Sequence, residues 1–336
     1  MGEKLSPLGE DFSFIVDAAA RIQGVKGLRI QAKAGMVFTL DRSNPWILGP
    51  QAFGFSRRVL TLFPTKVLEN NFHHHKKSVD MKKDKINDRV AVVILAAGLG
   101  TRMKSDRAKV LHEVNGIPMI RYVVETANAL GAGEIIIVIG HQAERVQATV
   151  ADHPRLKFAH QAQQLGTGHA VMCALPKISD QIESVVVLCG DVPLLKPATV
   201  THLVADHFID GRDVTVLAVE VQDPTGYGRI VMGSDEEVSG IVEEADVNET
   251  EKEICIVNAG IYCINRVFLQ AALEKLRTNN SQGELYLTDI VGIAHDQARP
   301  VGVVLGNDPV EVAGVNNQSD LETVQAALQE RSRKIS

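Results

Sequence analysis

The residues best suited to chemistry lie where apolar runs end in glycine. Gly98-Leu99-Gly100-Thr101-Arg102, with Lys109 a little downstream, has the makings of an anion cradle. Glycines at 98 and 100 permit backbone angles and close approach that a side chain would block. The N–H groups from Leu99 to Arg102 then form a nest for phosphate oxygens. The Arg102 guanidinium and the Lys109 ammonium bring positive charge to the same place. The spacing is not G-x-G-x-x-G, because Met103 holds the third glycine's place, and it is not G-x-x-x-x-G-K-[ST]. A tight strand-to-helix turn would account for two glycines alone; the two cations favour the anion site.

Two further stretches repeat the design. Residues 161–170, QAQQLGTGHA, pair Gln161 and Gln164 with a Gly166-Thr167-Gly168 turn. Glutamine amides offer the donor and acceptor pair that suits a base edge such as uracil, and the glycines let backbone approach a flat ring. The competing role for Thr167 is to cap the helix that follows. In VVVLCGDVPLL, Asp191 stands at the end of an apolar strand that Pro193 terminates. One carboxylate there, completed by substrate phosphates, is the usual arrangement for Mg²⁺; the plainer alternative is a helix cap. Four short loops, PTGYGRI at 224–230, IVEEAD at 241–246, VNAG at 257–260 and ELYLTDI at 284–290, are each ordinary turn chemistry alone, as is EVAGVNNQ at 311–318.

Regular elements must position these residues. From residue 88 onward, apolar runs of strand length alternate with helical periods. VAVVILAA, EIIIVIG, SVVVLCGD and VTVLAVEV read as strands, and KFAHQ as a short one. IPMIRYVVETANALG reads as a helix with Ile117, Ile120, Val123, Val124, Ala127 and Leu130 on one face and Gly131 at its C-cap. Strands that are apolar throughout, between helices, imply a mostly parallel, doubly wound α/β sheet covered on both faces. From about residue 222, shorter strand-like pieces joined by Gly, Asp and Asn suggest a smaller, partly antiparallel subregion. Helices are expected over RVFLQAALEKLR, LYLTDIVGIAHDQ and the final DLETVQAALQERSRK.

Residues 1–88 read as an N-terminal extension and linker with a poor pattern, and the true start is placed near Met81. DAAARIQGVKGLRIQAKAGMVFTL suggests a helix and a strand, and prolines and glycines interrupt the segment after it. His73, His74 and His75 are sequence neighbours that point to different faces, so a solvated run is expected rather than a metal site. The domain expectation is 1–88 for the extension, 89–322 for the functional domain and 323–336 for the end of a C-terminal helix.

The 336 residues are 45% apolar and 23% charged, with net charge −6, an ordinary globular balance. An acidic chain of pI near 6.0 argues against a nucleic-acid partner. Cys173, Cys189, Cys255 and Cys263 form no CxxC pair, which suits a reducing cytoplasm. No stretch approaches the ~20 apolar residues of a membrane span, and the N-terminus does not read as a signal peptide.

Taken together and in order, LAAGLGTRM, Lys109, QAQQLGTGHA, GDVPLL, DPTGYGRI, GIVEE, NAGIY, QGELYLTDI and GVNN resemble the uridyltransferase domain of bacterial N-acetylglucosamine-1-phosphate uridyltransferases, from about Val90 to about Glu322. LAAGxGTR alone marks only the wider sugar nucleotidyltransferases; QLGTGHA with DPTGYGRI narrows it. The resemblance implies a Rossmann-like nucleotidyltransferase fold, with a smaller mixed-sheet sugar-binding subregion. It implies uridylyl transfer from UTP to N-acetylglucosamine 1-phosphate with Mg²⁺, in UDP-N-acetylglucosamine and cell-wall biosynthesis. By the same resemblance Arg102 and Lys109 are catalytic. Leu95, Ala96, Ala97, Gly98, Gly100, Thr101, Gln161, Gln164, Gly166, Thr167, Cys189 and Gly190 hold the nucleotide. Gly228, Glu243, Asn258, Thr288 and Asn316 hold the sugar phosphate, and Asp191 with Asn316 holds the metal. The common Tyr-Gly-Asp of this family is here Cys189-Gly190-Asp191, a small thiol for an aromatic ring. No hexapeptide repeat is present, so neither the β-helix acetyltransferase of many members nor its trimer is expected, and the oligomeric state is open. The alternatives are a nucleotidyltransferase for another sugar 1-phosphate or another nucleotide, a glycosyltransferase, which Asp191-Val192-Pro193 suits less well than Asp-x-Asp would, and a non-catalytic nucleotide-sugar-binding module.

Overall fold

The structure is a computed structural model. It describes residues 29–31, 37–41, 44–48 and 88–335, apart from 235 and 236. The chain divides into two units, Met1–Leu62 and Phe63–Ser336.

In the first unit, β1 (Arg29–Gln31), β2 (Val37–Asp41) and β3 (Asn44–Leu48) form an antiparallel sheet in that order, with Ile30 opposite Phe38 and Thr39 opposite Ile47. β3 forms although it contains Pro45; it is an edge strand, where a missing N–H costs least. The helix expected before Arg29, the histidine run and Met81 lie outside the described residues.

The second unit opens with β4 (Val90–Ala96) and a β5–β6 hairpin (Glu113–Val114 and Ile117–Pro118), followed by α1 (Met119–Leu130), β7 (Glu134–Ile139) and α2 (Ala143–Thr149). Next come β8 (Leu156–His160), α3 (Thr167–Ala174), β9 (Ser184–Cys189), α4 (Pro197–Ile209), β10 (Val214–Glu220), β11 (Arg229–Met232), β12 (Val238–Val242) and β13 (Ile256–Asn265). α5 (Arg266–Leu273), α6 (Asp289–Asp296), β14 (Val301–Gly306) and α7 (Gln318–Ile335) complete it. Nine strands make one sheet. β9, β4, β7 and β8 run parallel in that order, and β10 pairs with β14 in parallel.

The buried strands serve both faces, as their continuous apolarity requires. Val92 and Ile94 of β4, Ile137 of β7 and Leu188 of β9 pack with Val123, Val124 and Leu203 under α1 and α4. Their neighbours Val93, Val138 and Val187 pack with Val171, Leu269 and Ile290 under α3, α5 and α6. A third cluster joins Met103, Val114, Met119 and Leu194 to Val315, Leu321 and Val324 at the start of α7.

One expectation needs correction. Ile117 is not on the helical face: it lies in the β5–β6 hairpin, 42% exposed, and α1 begins only after Pro118. Gly131 does cap α1, at φ +73°, with its N–H on the Asn128 carbonyl. The smaller, partly antiparallel subregion is present, and β13 joins it to the parallel strands. The long β13 pairs with β9 at one end, with β11 at the other and with β10 along its length, so the antiparallel strands continue the main sheet.

Candidate active site

Both glycine loops and Asp191 stand beyond the carboxyl ends of parallel strands, where open α/β sheets bind ligands. After β4 the chain turns through Gly100, at φ +65°. A Cβ there would lie 2.7 Å from the Lys109 Cβ, so only glycine fits against that lysine. At Gly98 a Cβ would meet nothing within 4 Å, so its freedom is not demanded by the protein's own packing. The N–H groups of Leu99 to Arg102 have no backbone acceptor among the described residues, which leaves them for a ligand. Met103 is buried in the third cluster, and this explains why an apolar residue stands where the dinucleotide fingerprint has its third glycine.

Lys109 opens a short 3₁₀ turn anchored by buried Val110 and Leu111. Its ammonium pairs with the Asp191 carboxylate and donates to Asn316 Oδ1 at 2.8 Å. Arg102 donates to the same oxygen at 3.0 Å. The contact spans the unit, and the sheet explains it. β9 lies beside β4 with Cys189 opposite Leu95. Gly190 then donates to the Leu95 carbonyl at 2.9 Å, and a Cβ at 190 would come within 2.9 Å of that oxygen. The Asp191 carbonyl in turn accepts from Val315 N–H at 3.0 Å, which brings in Asn316. Asp191 caps no helix, since α4 starts at Pro197 behind Lys196.

The second glycine loop is laced to residues 284–287. Gly168 N–H donates to the Leu285 carbonyl, and Leu285 N–H to the Leu165 carbonyl, each at 2.8 Å. Gly166 holds φ +106°, and a Cβ would sit 2.6 Å from the Leu285 oxygen. Thr167 caps no helix by its side chain: Gly166 is the N-cap, and the Thr167 hydroxyl accepts from Leu287 N–H at 2.9 Å. Gln161 is buried, and its amide nitrogen donates to the Gly166 carbonyl at 3.1 Å. It shapes the loop. Gln164 lies against Gly140 and Ala97 at the ends of β7 and β4.

A cavity of about 430 Å³ opens between these loops and the antiparallel strands. Such a volume suits a small-molecule ligand. Leu95, Arg102, Thr167, Cys189 and Asp191 line it, together with Gly228, Glu243, Asn258, Thr288 and Asn316. The remaining expected residues, Ala96, Ala97, Gly98, Gly100, Thr101, Lys109, Gln161, Gln164, Gly166 and Gly190, are not among its lining.

On the acceptor side, the Thr288 hydroxyl donates to Glu243 Oε1 at 2.9 Å. Burial raises the Glu243 carboxyl above the ordinary range, against the Thr288 hydrogen bond, and the carboxylates of Asp289, Asp246 and Glu284 add to the rise. A bulge in the β10–β13 pairing, at Ala259-Gly260, turns Asn258 so that its amide donates to the Tyr262 hydroxyl at 2.7 Å and its oxygen accepts from Gly260 N–H at 2.9 Å. Cys189 donates to the Gly260 carbonyl at 3.3 Å. Burial and the nearby Asp191 charge push its thiol up to about 12, so it stays protonated and unreactive at neutral pH. Sequence reasoning missed Tyr227, Tyr262 and Asp320 in the lining. Tyr227 and Tyr262 stand within DPTGYGRI and NAGIY without a role read from them; for Asp320 the signal is Asn317 followed three residues later by an acid, at the start of an amphipathic helix.

Residues 92–278 match the MobA-like NTP transferase domain. The bifunctional protein GlmU of Trichlorobacter lovleyi is 45% identical over 241 residues, 72% of this chain and 52% of that relative. The bifunctional protein GlmU of Desulfotalea psychrophila is 43% identical over 254 residues, 76% of this chain and 74% of that relative. A solved nucleotidyl transferase from Methanothermobacter thermautotroptrophicus shares the fold, with TM-score 0.51 and 16% identity, over 72% of this chain and 99% of its own. The chain spans about half the length of most of the curated relatives it matches, as it does of the Trichlorobacter protein. Fold and site together define a nucleotidyltransferase domain. The chain belongs to the MobA-like NTP transferase domain family, and it is similar, at 43–45% identity over 72–76% of its length, to proteins named bifunctional GlmU. Among the described residues no helix is long and apolar enough to cross a membrane.

Proposed function

We propose that residues 89–322 transfer a uridylyl group from UTP to N-acetylglucosamine 1-phosphate, giving UDP-N-acetylglucosamine and pyrophosphate, in the cytoplasm. The observation that carries this reading is the meeting of Arg102, Lys109, Asp191 and Asn316 in one polar cluster at a cavity that Arg102, Asp191 and Asn316 line together with Glu243, Asn258 and Thr288. The acceptor phosphate is already an anionic nucleophile, so no general base is needed. Its oxygen bonds to the α-phosphorus of UTP as the bond to the β-phosphate bridge breaks, and pyrophosphate leaves with that electron pair. The difficulty is bringing two polyanions into line, which calls for positioned cations rather than a triad. Arg102 and Lys109 hold the triphosphate against the free N–H groups of the first glycine loop. The backbone from Leu95 to Gly98, with Gln161, Gln164, Gly166, Thr167, Cys189 and Gly190, frames the nucleoside. Glu243, braced by Thr288, and Asn258 and Gly228 take the amino sugar.

The donors fit Mg²⁺. Asp191 and Asn316 present hard oxygens that already converge on one cationic group, the Lys109 ammonium. Among the described residues no cluster of three or more His, Cys, Asp or Glu could hold a metal alone. Phosphate oxygens and water would therefore complete the coordination. When bound, the ion neutralises charge on the phosphates and the leaving pyrophosphate.

The test is pyrophosphate release with UTP and Mg²⁺, comparing N-acetylglucosamine 1-phosphate, glucose 1-phosphate and glucosamine 1-phosphate, with Asp191→Ala as control. Release that prefers the acetylated sugar and is lost in the control is expected. Preference for glucose 1-phosphate would keep the chemistry and overturn the substrate. A folded protein that binds UTP and releases nothing would replace the enzyme with a binding module.

A further inference from the structure

Asn316 carries two donors on one oxygen, and its usefulness depends on where that oxygen points. Three contacts fix it. Its side-chain amide donates to the Gly314 carbonyl at 3.3 Å, its oxygen faces Lys109 and Arg102, and its backbone N–H donates to Asp320 Oδ2 at 2.7 Å. The same Asp320 oxygen accepts from Asn317 N–H at 3.1 Å, and Asn317 Oδ1 accepts from Asp320 N–H at 3.0 Å. This is a reciprocal cap on the first turn of α7. α7 is itself seated by Leu321 and Val324, which pack with Val315 and Met103 of the first glycine loop. Asp320 also lines the cavity, where burial, with the Asp320 charge adding to it, disfavours the Tyr227 phenolate.

Both N–H groups captured by Asp320 precede the helix and have no acceptor within it. Without the carboxylate they turn to water, and Asn316 loses the one anchor of the three that holds its backbone. A carboxylate acceptor makes that anchor stronger than a neutral one would.

We propose that Asp320 is a positioning residue for the phosphate and metal end of the site. It holds the Asn316 backbone so that Asn316 Oδ1 faces Lys109 and, with Asp191, the bound cation. The proposal rests on Asp191 and Asn316 being the metal-binding pair. Removing a group that orients a ligand of a metal site weakens metal binding about 10- to 100-fold, whereas loss of a cap alone lowers stability and leaves affinity intact.

The experiment compares wild type, Asp320→Ala and Asp320→Asn. Mn²⁺ serves as a paramagnetic probe, titrated with UTP present, and kcat, KM and melting temperature are measured alongside. Asp320→Ala is expected to weaken Mn²⁺ about tenfold and to lower kcat by a similar factor, with KM for the sugar phosphate little changed. Asp320→Asn keeps an oxygen that can accept from both N–H groups, and is expected to stay within about threefold of wild type. If Asp320→Ala does not fold, Asp320→Ser, whose shorter side chain cannot span both donors, takes its place. Wild-type Mn²⁺ affinity in the Ala or Ser variant would overturn the proposal. So would an Asn variant as impaired as Ala, because charge rather than position would then be at work. A wild type that binds UTP without Mn²⁺ would overturn the reading of the metal pair, and the proposal with it.

Discussion

Acidification should weaken the fold through one buried histidine far from the substrates. His207, in α4, is 2% exposed. Its ring nitrogens lie 3.1 Å from the Ser184 hydroxyl and 3.0 Å from that of Thr215, both buried. A neutral imidazole satisfies this pair by donating to one and accepting from the other; an imidazolium can only donate. Burial, with Arg212 adding its charge, lowers the pKa from 6.5 to about 4. The folded pKa is thus depressed, so the contribution is fully present above the unfolded value and is lost as pH falls toward the folded one. A tenfold change in proton affinity corresponds to about 1.4 kcal/mol, so the group forfeits about 3 kcal/mol across that window, and about 2 kcal/mol of it between roughly pH 7 and pH 5. The assay is urea unfolding of wild type and His207→Gln over that range. The variant starts less stable but loses less on acidification, by about 2 kcal/mol near pH 5. Parallel curves for the two proteins would refute the reasoning, because the acid sensitivity would then belong to other groups.

Gly100→Ala should cost activity through Lys109: the new Cβ would lie 2.7 Å from that residue's Cβ, on a backbone at φ +65°. Displacing a catalytic cation by about 1 Å costs on the order of 10²-fold in kcat/KM for UTP, while Gly98→Ala, with no neighbour within 4 Å, should leave the melting temperature unchanged. Lys109→Met should lower kcat about 10²- to 10³-fold and, because it frees the Asp191 carboxylate, tighten Mn²⁺ binding measured without nucleotide. Equal or weaker Mn²⁺ binding in that variant would show that the ammonium does not compete for the carboxylate.

The parallel half of the fold was legible because its central strands β4, β7 and β9 are apolar over nearly all their length, though β8 carries Lys157 and His160. β4 reads VAVVILA, and alternate residues do enter opposite cores. The misreading at Ile117 had a local cause: the apolar spacing fits a helix, but Asn115-Gly116 is a hairpin turn signal, and both residues take positive φ, +51° and +77°. β13 was legible as one strand-like piece, CIVNAGIYCI, within a residue of Ile256–Asn265, but the bulge at Ala259-Gly260 and the pairing of that strand with both β9 and β10 were not. Local propensity fails there because tertiary pairing with β9 and β10 decides the outcome.

The placement of the candidate site residues was legible where they stand at a strand end, as for Gly100 and Asp191, and illegible where a contact depends on a distant chain segment. Nothing near Thr167 says that its hydroxyl serves Leu287 rather than its own helix. Nothing near Gln161 says that its amide holds Gly166. The joining of Lys109 to Asp191 and Asn316 has the same character, yet it has the most chemical content. A half-buried carboxylate beside a lysine carries its own counter-charge in the free protein. A divalent ion arriving alone must displace that ammonium, whereas one arriving with a triphosphate offers the ammonium new anionic oxygens in exchange. With Asp191 as the metal's carboxylate, as proposed, the geometry favours metal that enters with the nucleotide over metal that waits for it, and the lysine that balances Asp191 beforehand would turn to the phosphates.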